Sequence, residues 1–250
     1  RWHVRRALRG TRWQELPILS AAAPFRAGGR GGPDHYTDVP AGRLTLRNIA
    51  DLYLFPNRIC AIRLSGSDVA EWLERSASLF HRVHAGQADQ PLIDPDFPSY
   101  NFDVIGGLDW QIDLARPPRY APDGRLANAG SRRIVALTHR GRPVDPAQEF
   151  ILVTNSYRLS DCGMFAPVVS GRPVLLDGTS RTREVLRRYI ARRRVLAPES
   201  GTGWRFAPLP GTSVLFETSP AAAPQIDRLC RPVETVGLAA NGFLQLRLHL

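Results

Sequence analysis

Residues 45–80 read TLRNIADLYLFPNRICAIRLSGSDVAEWLERSASLF, and this stretch decides the fold class because its pattern places a strand between two helices. Residues 45–52 have the pattern of a short helix capped by Thr45, and residues 59–64 form a nearly continuous apolar strand. The second helix is predicted to be capped by Ser67. Its core-facing side comprises Val69, Trp72, Leu73, Ser76 and Phe80.

The rest of the chain has mostly strand patterns. Strands are predicted over residues 16–23, 110–114, 133–138, 150–154, 204–206, 214–216 and 244–248. A second long helix is predicted from Ser180 or Thr182. Because helices and strands do not alternate regularly, the pattern favours an α+β fold, with a mixed sheet, two long helices and one short helix, over a doubly wound parallel sheet. We expect one domain over residues 16–250, preceded by a basic lead-in over residues 1–15.

The composition is that of an ordinary globular protein with a strong basic excess. The chain has 250 residues, of which 43% are hydrophobic and 22% charged, enough to bury a sizeable core. No run of about 18 apolar residues is present, so neither a membrane-spanning helix nor a membrane partner is expected. The net charge is +10, and all 33 basic residues are Arg. Because these are spread along the chain, nucleic acid is disfavoured as a partner. An Arg-rich nucleic-acid-binding module, with clusters at residues 1–12 and 181–194, stays an alternative.

The first residues of the chain indicate how it is produced, and the three cysteines limit its possible disulfides. It begins RWH rather than with Met, and no apolar stretch of a signal peptide follows. We therefore expect a processed product or a piece of a longer protein, with a non-functional remnant of a truncated gene as a further alternative. Cys60, Cys162 and Cys230 are too few and too far apart for a disulfide framework. They allow three free thiols, or one bridge and one free thiol.

The sequence contains no recognisable metal-binding or phosphate-loop motif. His81 and His84 could share a helix face, but a solvated helix end is favoured over a metal site. The glycine-rich residues 28–32 are not followed by the Lys-Ser/Thr pair of a phosphate loop. No cofactor is therefore expected to bind to this chain itself, and no catalytic residue is predicted in it.

Two aromatic residues are better candidates for a binding site, because each is predicted beside the end of a strand. Phe55 lies in the turn before the strand of residues 59–64, and Tyr157 follows the strand of residues 150–154. Two rings about 7 Å apart can hold a planar heterocycle between them, each face contributing roughly 1–3 kcal/mol. Asn57 and Asn155 accompany the two rings, and an amide side chain can both donate to and accept from the edge of a heterocycle.

Five motifs in this order and spacing resemble the C-terminal domain of the 5′-nucleotidase family. They are residues 16–32 (LPILSAAAPFRAGGRGG), 42–57 (GRLTLRNIADLYLFPN), 65–74 (SGSDVAEWLE), 99–107 (SYNFDVIGG) and 154–158 (TNSYR). The resemblance covers about residues 16–220 and is greatest to the branch of bifunctional 2′,3′-cyclic-nucleotide 2′-phosphodiesterases/3′-nucleotidases.

The resemblance implies a domain that recognises a nucleotide or nucleoside. In the family the base is held between two aromatic residues, which correspond here to Phe55 and Tyr157. Asn57 corresponds to the family's base-contacting Asn, and Arg30 lies in the segment that supplies an Arg near the phosphate and ribose. Asn155 belongs to the motif that precedes the second aromatic residue.

The resemblance also implies parts that this sequence lacks. In the family a divalent dimetal centre and the catalytic Asp and His residues occupy a separate N-terminal domain, so a separately encoded metal domain is an alternative partner. Family members are exported to the periplasm, which implies the same localisation here. Residues 159–163 read LSDCG where the family usually keeps a Gly-Gly pair. The 5′-nucleotidase branch has a base-reading Asp nearby, to which Gly163 aligns here with Asp161 beside it. The base preference therefore does not carry over.

Overall fold

The structure of the chain is a computed structural model that describes residues 1–23, 29–159, 163–197, 203–229 and 233–250, and of Arg30 only the backbone. The helices are α1 (Trp2–Ala7), α2 (Leu46–Leu52), α3 (Gly66–Ser76), α4 (Ser156–Leu159), α5 (Ala166–Val169) and α6 (Thr182–Arg193). Short 3₁₀ helices span Gly29–Gly31, Ala77–Leu79, Ser99–Asn101 and Pro220–Arg228. The strands are β1 (Ile18–Ala22), β2 (Arg58–Ser65), β3 (Gln90–Pro91), β4 (Val104–Gly106), β5 (Asp109–Ile112), β6 (Ile134–His139), β7 (Arg142–Pro143), β8 (Glu149–Asn155), β9 (Val174–Arg181), β10 (Trp204–Phe206), β11 (Ser213–Thr218), β12 (Val233–Leu238) and β13 (Leu244–His249).

The strands of the described residues form three sheets, each with parallel and antiparallel pairs. The five-stranded central sheet has the order β4-β1-β8-β2-β9, and the two four-stranded sheets have the orders β10-β5-β6-β7 and β12-β13-β11-β3. In the central sheet β1 is parallel to β8, whereas β2 pairs antiparallel with both β8 and β9. The prediction of an α+β fold with mixed strand directions is therefore confirmed, although the strands divide over several sheets.

The register between β2 and β8 positions the candidate site. Ile59, at the start of β2, pairs with Asn155, the last residue of β8. The Arg58 amide also donates to Ser156 Oγ over 3.1 Å. Because the two strands run antiparallel, the turn before β2 and the segment after β8 meet at the same end of these strands.

Helix α3 begins at a cap that differs from the predicted one. Ser65 Oγ accepts a hydrogen bond from the Asp68 amide over 3.2 Å, and the Asp68 carboxylate accepts from the Ser65 amide over 2.9 Å. This reciprocal pair is a capping box, so the prediction of Ser67 as the cap is wrong. The predicted cap of α2 is confirmed, because Thr45 and Asn48 form the same kind of pair.

The main core lies between α3 and the sheets. The predicted inner face of α3 is buried, and the Trp72 ring stacks on Phe165 with centroids 4.4 Å apart. Leu244, Leu246 and Leu248 of β13 are buried in alternation with more exposed residues, as their spacing predicts. Cys60 is a buried free thiol, whereas Cys162 and Cys230 lie outside the described residues.

The basic lead-in includes a helix that the sequence pattern does not predict. Val4 of α1 and Leu8 just after it are buried in a smaller cluster, together with Ile18 of β1 and Ile151 of β8. The lead-in therefore packs on the face of the central sheet. Throughout the described part of the chain, every helix is too short or too polar to cross a bilayer.

Candidate functional site

A cleft of about 670 Å³ opens at the end of the central sheet where strand β2 begins and strand β8 ends. Phe55, Asn57, Asn155 and Tyr157, which are distant in sequence, all line this cleft. The two aromatic side chains are 45% and 43% exposed, so their rings are accessible rather than sealed in the core. The structure thus brings four of the five predicted site residues to one cleft.

The turn that carries Phe55 is held by its own residues and by α6. The rings of Tyr53 and Phe55 meet edge to face with centroids 6.5 Å apart, and Asn57 Nδ2 donates to the Tyr53 hydroxyl over 3.1 Å. The Thr182 amide donates to the Asn57 carbonyl over 2.9 Å. The Arg183 guanidinium donates to the carbonyl of Tyr53 over 3.2 Å. These contacts fix the direction in which the turn presents its side chains.

Tyr157 is presented by the short helix α4. Asn155 Oδ1 accepts from the Arg158 amide over 3.1 Å, so this Asn caps the first turn after β8. The Tyr157 ring also meets the Tyr100 ring edge to face with centroids 6.4 Å apart. Tyr100 lines the cleft and is 41% exposed, which makes it a further ring available to a ligand.

A buried polar network lies behind Tyr157. Arg158 Nε and Nη2 donate to the two carboxylate oxygens of Asp103 over 3.0 and 2.9 Å, and Nη1 donates to Asn101 Oδ1 over 2.9 Å. The Trp72 indole donates to the same carboxylate over 3.0 Å. Burial raises the pKa of Asp103, while the Arg158 guanidinium acts in the opposite direction. The network joins residues 100–103 to α4 across the back of the cleft.

The remaining predicted residues lie at the limits of the described structure. Arg30 is in the 3₁₀ turn Gly29–Gly31, but its side chain is outside the description, so its role stays a prediction. Asp161 lies outside the described residues. Sequence reasoning did not single out Tyr53, Tyr100 or Arg158, although each belongs to one of the quoted motifs. The sequence feature that could have identified these three residues is that each is an aromatic or charged residue inside a family motif.

The described residues do not offer the donor set of a dimetal centre. No three His, Cys, Asp or Glu side chains in this part of the chain converge in a way that could hold a metal ion. The dimetal centre, which the family resemblance places on a separate N-terminal domain, therefore does not fit these residues. What the cleft offers is aromatic surface with amide groups beside it.

Comparison with known proteins gives close relatives in sequence. The chain is 40% identical over 242 residues to the trifunctional nucleotide phosphoesterase protein YfkN of Bacillus subtilis, covering 96% of the chain and 16% of that protein. It is also 40% identical over 248 residues to a 2′,3′-cyclic-nucleotide 2′-phosphodiesterase/3′-nucleotidase of Haemophilus influenzae, covering 94% of the chain and 37% of the relative. The chain thus spans well under half the length of these curated relatives.

Comparison with solved structures supports the fold. The crystal structure of a 5′-nucleotidase precursor from Thermus thermophilus aligns with a TM-score of 0.57 and 17% identity, covering 82% of this chain and 33% of that chain. The family profile described as 5′-nucleotidase, C-terminal domain, matches residues 23–170, which include Phe55, Asn57 and Tyr157. The chain therefore belongs to the 5′-nucleotidase C-terminal domain family.

Proposed function

We propose that this chain is the nucleotide- or nucleoside-recognition domain of a metallophosphoesterase, and that the base of the ligand stacks between Phe55 and Tyr157. The observation that carries the proposal is that both rings, from elements about a hundred residues apart in sequence, line one open cleft. The volume of the cleft, about 670 Å³, is within the range of small-molecule sites and suits a nucleotide or nucleoside.

Stacking would supply most of the affinity. Removing an aromatic side chain from a base typically costs about 1–3 kcal/mol, whichever base is bound. Asn57 would add selectivity, because its Nδ2 donates to the Tyr53 hydroxyl and its Oδ1 can accept from an amino or ring N–H group of the base. Arg30 would contact the phosphate or ribose, and Asn155 would hold the Tyr157 segment through its cap on α4.

The domain would contribute binding and orientation, which account for a large part of catalysis when the reacting groups lie on a neighbouring domain. We propose that the dimetal centre belongs to such a domain, on the same polypeptide or a separate one. The names of the relatives favour nucleotide phosphoesters, including 2′,3′-cyclic nucleotides, as the substrate class and hydrolysis as the reaction. The periplasm is the proposed compartment.

Calorimetric titration of the chain with adenosine monophosphate and with 2′,3′-cyclic adenosine monophosphate tests the proposal. We expect weak binding in the wild type, and a loss of affinity of about 5- to 150-fold in Tyr157→Ala and in Phe55→Ala. Tyr157→Phe is the matched control, because it retains the ring and should retain the affinity.

Two results would contradict the proposal. Absence of binding in the wild type, or unchanged affinity in Tyr157→Ala, would overturn base stacking and favour a remnant without function. Metal-dependent hydrolysis by the purified chain would overturn the assignment of catalysis to another domain.

A further inference from the structure

Two arginine-rich segments that lie far apart in the sequence adjoin in the structure. The ring of Trp2 in α1 lies 5.9 Å from the ring of Tyr189 in α6, measured between centroids. The guanidinium carbons of Arg6 and Arg192 lie 5.5 and 5.9 Å from the centroid of the Trp2 ring. Helices α1 and α6 therefore form one surface, here called the α1–α6 surface. Besides Arg183 and Arg187, the exposed arginines of these two helices are Arg5, Arg6, Arg188, Arg192 and Arg193.

The positive charge of the α1–α6 surface is poorly compensated. The single acidic residue of these two helices, Glu184, pairs with Arg187 over 2.8 Å and with Arg188 over 3.4 Å. Within the described part of the chain, Arg6 and Arg192 form no ion pair. Such an excess of one sign attracts anionic ligands.

The surface also has a concave shape. A depression of about 500 Å³ lies between the two helices, lined by Trp2, His3, Arg6, Ala7, Arg188 and Arg192. Burial is the main cause that lowers the pKa of His3, and the positive charges of Arg188 and Arg6 act in the same direction. Arginine presents several N–H donors in a planar fork that matches phosphate oxygens, so the depression suits phosphate groups.

Helix α6 contributes residues both to the α1–α6 surface and to the nucleotide cleft. Thr182 and Leu186, in the first half of α6, line the cleft, whereas Arg188 and Arg192 on the same helix line the depression. A helix rises 1.5 Å per residue, so Leu186 and Arg192 are about 9 Å apart along its axis. Since six residues also place the two side chains about 120° apart around the helix, a strand that joins them curves around α6 and spans more than the two or three nucleotides of the axial rise alone.

We propose that the α1–α6 surface binds the phosphodiester backbone of a short single-stranded oligonucleotide whose terminal nucleoside occupies the cleft. The placement of that nucleoside rests on the function proposed above. A mononucleotide would leave this surface unused, whereas a positively charged groove that follows the phosphate backbone is a usual means of holding a single strand. The sequence disfavours nucleic acid because its arginines are spread along the chain, but folding gathers two of the clusters beside the cleft.

An anionic membrane is the competing partner for a basic surface. Membrane-bound helices project aromatic and aliphatic side chains into the lipid. Here the Trp2 and Tyr189 rings are half-buried against each other and lie under arginines, so they do not project. These contacts favour a nucleic-acid strand.

The test compares a fluorescently labelled hexa-adenylate RNA with adenosine monophosphate on the 250-residue chain. Anisotropy should detect hexamer binding at least tenfold tighter than that of the mononucleotide at low salt. In Arg6→Gln/Arg192→Gln the hexamer affinity should fall at least tenfold, while the mononucleotide affinity stays within twofold. The slope of log affinity against log salt should decrease by about 1.4, since each phosphate contact on a single strand contributes about 0.7.

Arg140→Gln/Arg142→Gln is the matched control, because it removes the same charge from exposed arginines at the β6–β7 hairpin. It should leave hexamer binding unchanged. Thermal unfolding of both double variants, which alter only exposed side chains, should match that of the wild type.

The outcomes separate this inference from the proposed function. If adenosine monophosphate binds in a Tyr157-dependent way but the hexamer binds no more tightly, or Arg6→Gln/Arg192→Gln has no effect, the inference is overturned and the proposed function stands. If the mononucleotide does not bind but hexamer binding still depends on the two arginines, the proposed function falls and the surface is supported. Binding to phosphatidylserine vesicles without binding to the hexamer would overturn the inference in favour of a membrane partner.

Discussion

Arg158 and Asp103 form a buried ion pair with two parallel hydrogen bonds directly behind the aromatic wall of the cleft. Their side chains are only 4% and 3% exposed, and the carboxylate also accepts from the Trp72 indole. Since Arg158 follows Tyr157 in α4 and also donates to the Tyr100 carbonyl over 2.6 Å, the pair ties the segments of both rings together. The ion pair therefore determines where the ring of Tyr157 sits.

Arg158→Gln should destabilise the fold strongly. The substitution leaves the Asp103 carboxylate buried without its counter-charge, and removing one partner of a buried pair typically costs about 3–5 kcal/mol. The free energy of unfolding, measured by urea denaturation, checks this. Arg125→Gln, which removes an exposed pair with Asp123, is the control and should leave the free energy of unfolding almost unchanged. Equal effects of the two substitutions would contradict a structural role for the buried pair.

Ser65→Ala should destabilise the protein more than Ser67→Ala. Ser65 accepts the Asp68 amide at the start of α3, and loss of such a cap costs about 0.5–2 kcal/mol. Within the part of the chain that the structure describes, the Ser67 hydroxyl contacts only that of Ser65, so substitution of Ser67 should change stability by no more than about 0.5 kcal/mol. Urea denaturation of both variants measures the two losses in stability. A larger loss in Ser67→Ala than in Ser65→Ala would identify Ser67 as the cap.

Tyr53→Phe should weaken nucleotide binding while leaving the fold intact. The hydroxyl accepts from Asn57 Nδ2, and a hydrogen bond of this kind is worth about 1 kcal/mol, or a several-fold change in affinity. If Tyr53 acts by orienting Asn57, the double variant Tyr53→Phe/Asn57→Ala should bind adenosine monophosphate as well as Asn57→Ala does. Additive losses in the calorimetric titrations would show that the hydroxyl acts independently of Asn57.

Acid should weaken the ion pair between Asp89, just before β3, and Arg247 of β13. Hydrogen bonds from Arg247 lower the pKa of Asp89 from 3.8 to about 2. Because the folded-state pKa is depressed, the contribution of Asp89 to stability is complete above about pH 4. It is lost as the pH falls from about 4 to about 2.

Asp89→Asn tests this dependence, since Asn tolerates the left-handed backbone of this position, where φ is 57°. The difference in urea midpoint between the wild type and Asp89→Asn should be present at pH 6 and should disappear across that acidic window. Asp227→Asn, which alters an exposed carboxylate without an ion pair in the described part of the chain, is the control. A difference that is constant with pH would rule out the proposed electrostatic origin.

Local patterns predicted the elements that build the site, but not the contacts that hold it. Phe55 and Tyr157 were identified from their positions beside strand ends and from the family motifs, and both line the cleft. The Arg158–Asp103 pair was not predicted, because its partners are 55 residues apart and no periodicity relates them. The sequence pattern predicts Ser67 as the cap of α3, but Ser67 lies in the first turn of the helix and the side-chain hydrogen bonds identify Ser65 as the cap.

The sequence by itself determined helices α2, α3 and α6, the strands with a clear apolar pattern, the family, and the excess of arginine, since each of these follows from local spacing or composition. Tertiary structure alone decided that residues 55–57 and 155–157 share a cleft and that the arginines of α1 and α6 share a surface. The physical reason is that these juxtapositions depend on the antiparallel register of β2 with β8 and on the burial of α1 against the central sheet. Such long-range pairings form only when the burial of apolar side chains outweighs the entropy lost in closing the intervening loops.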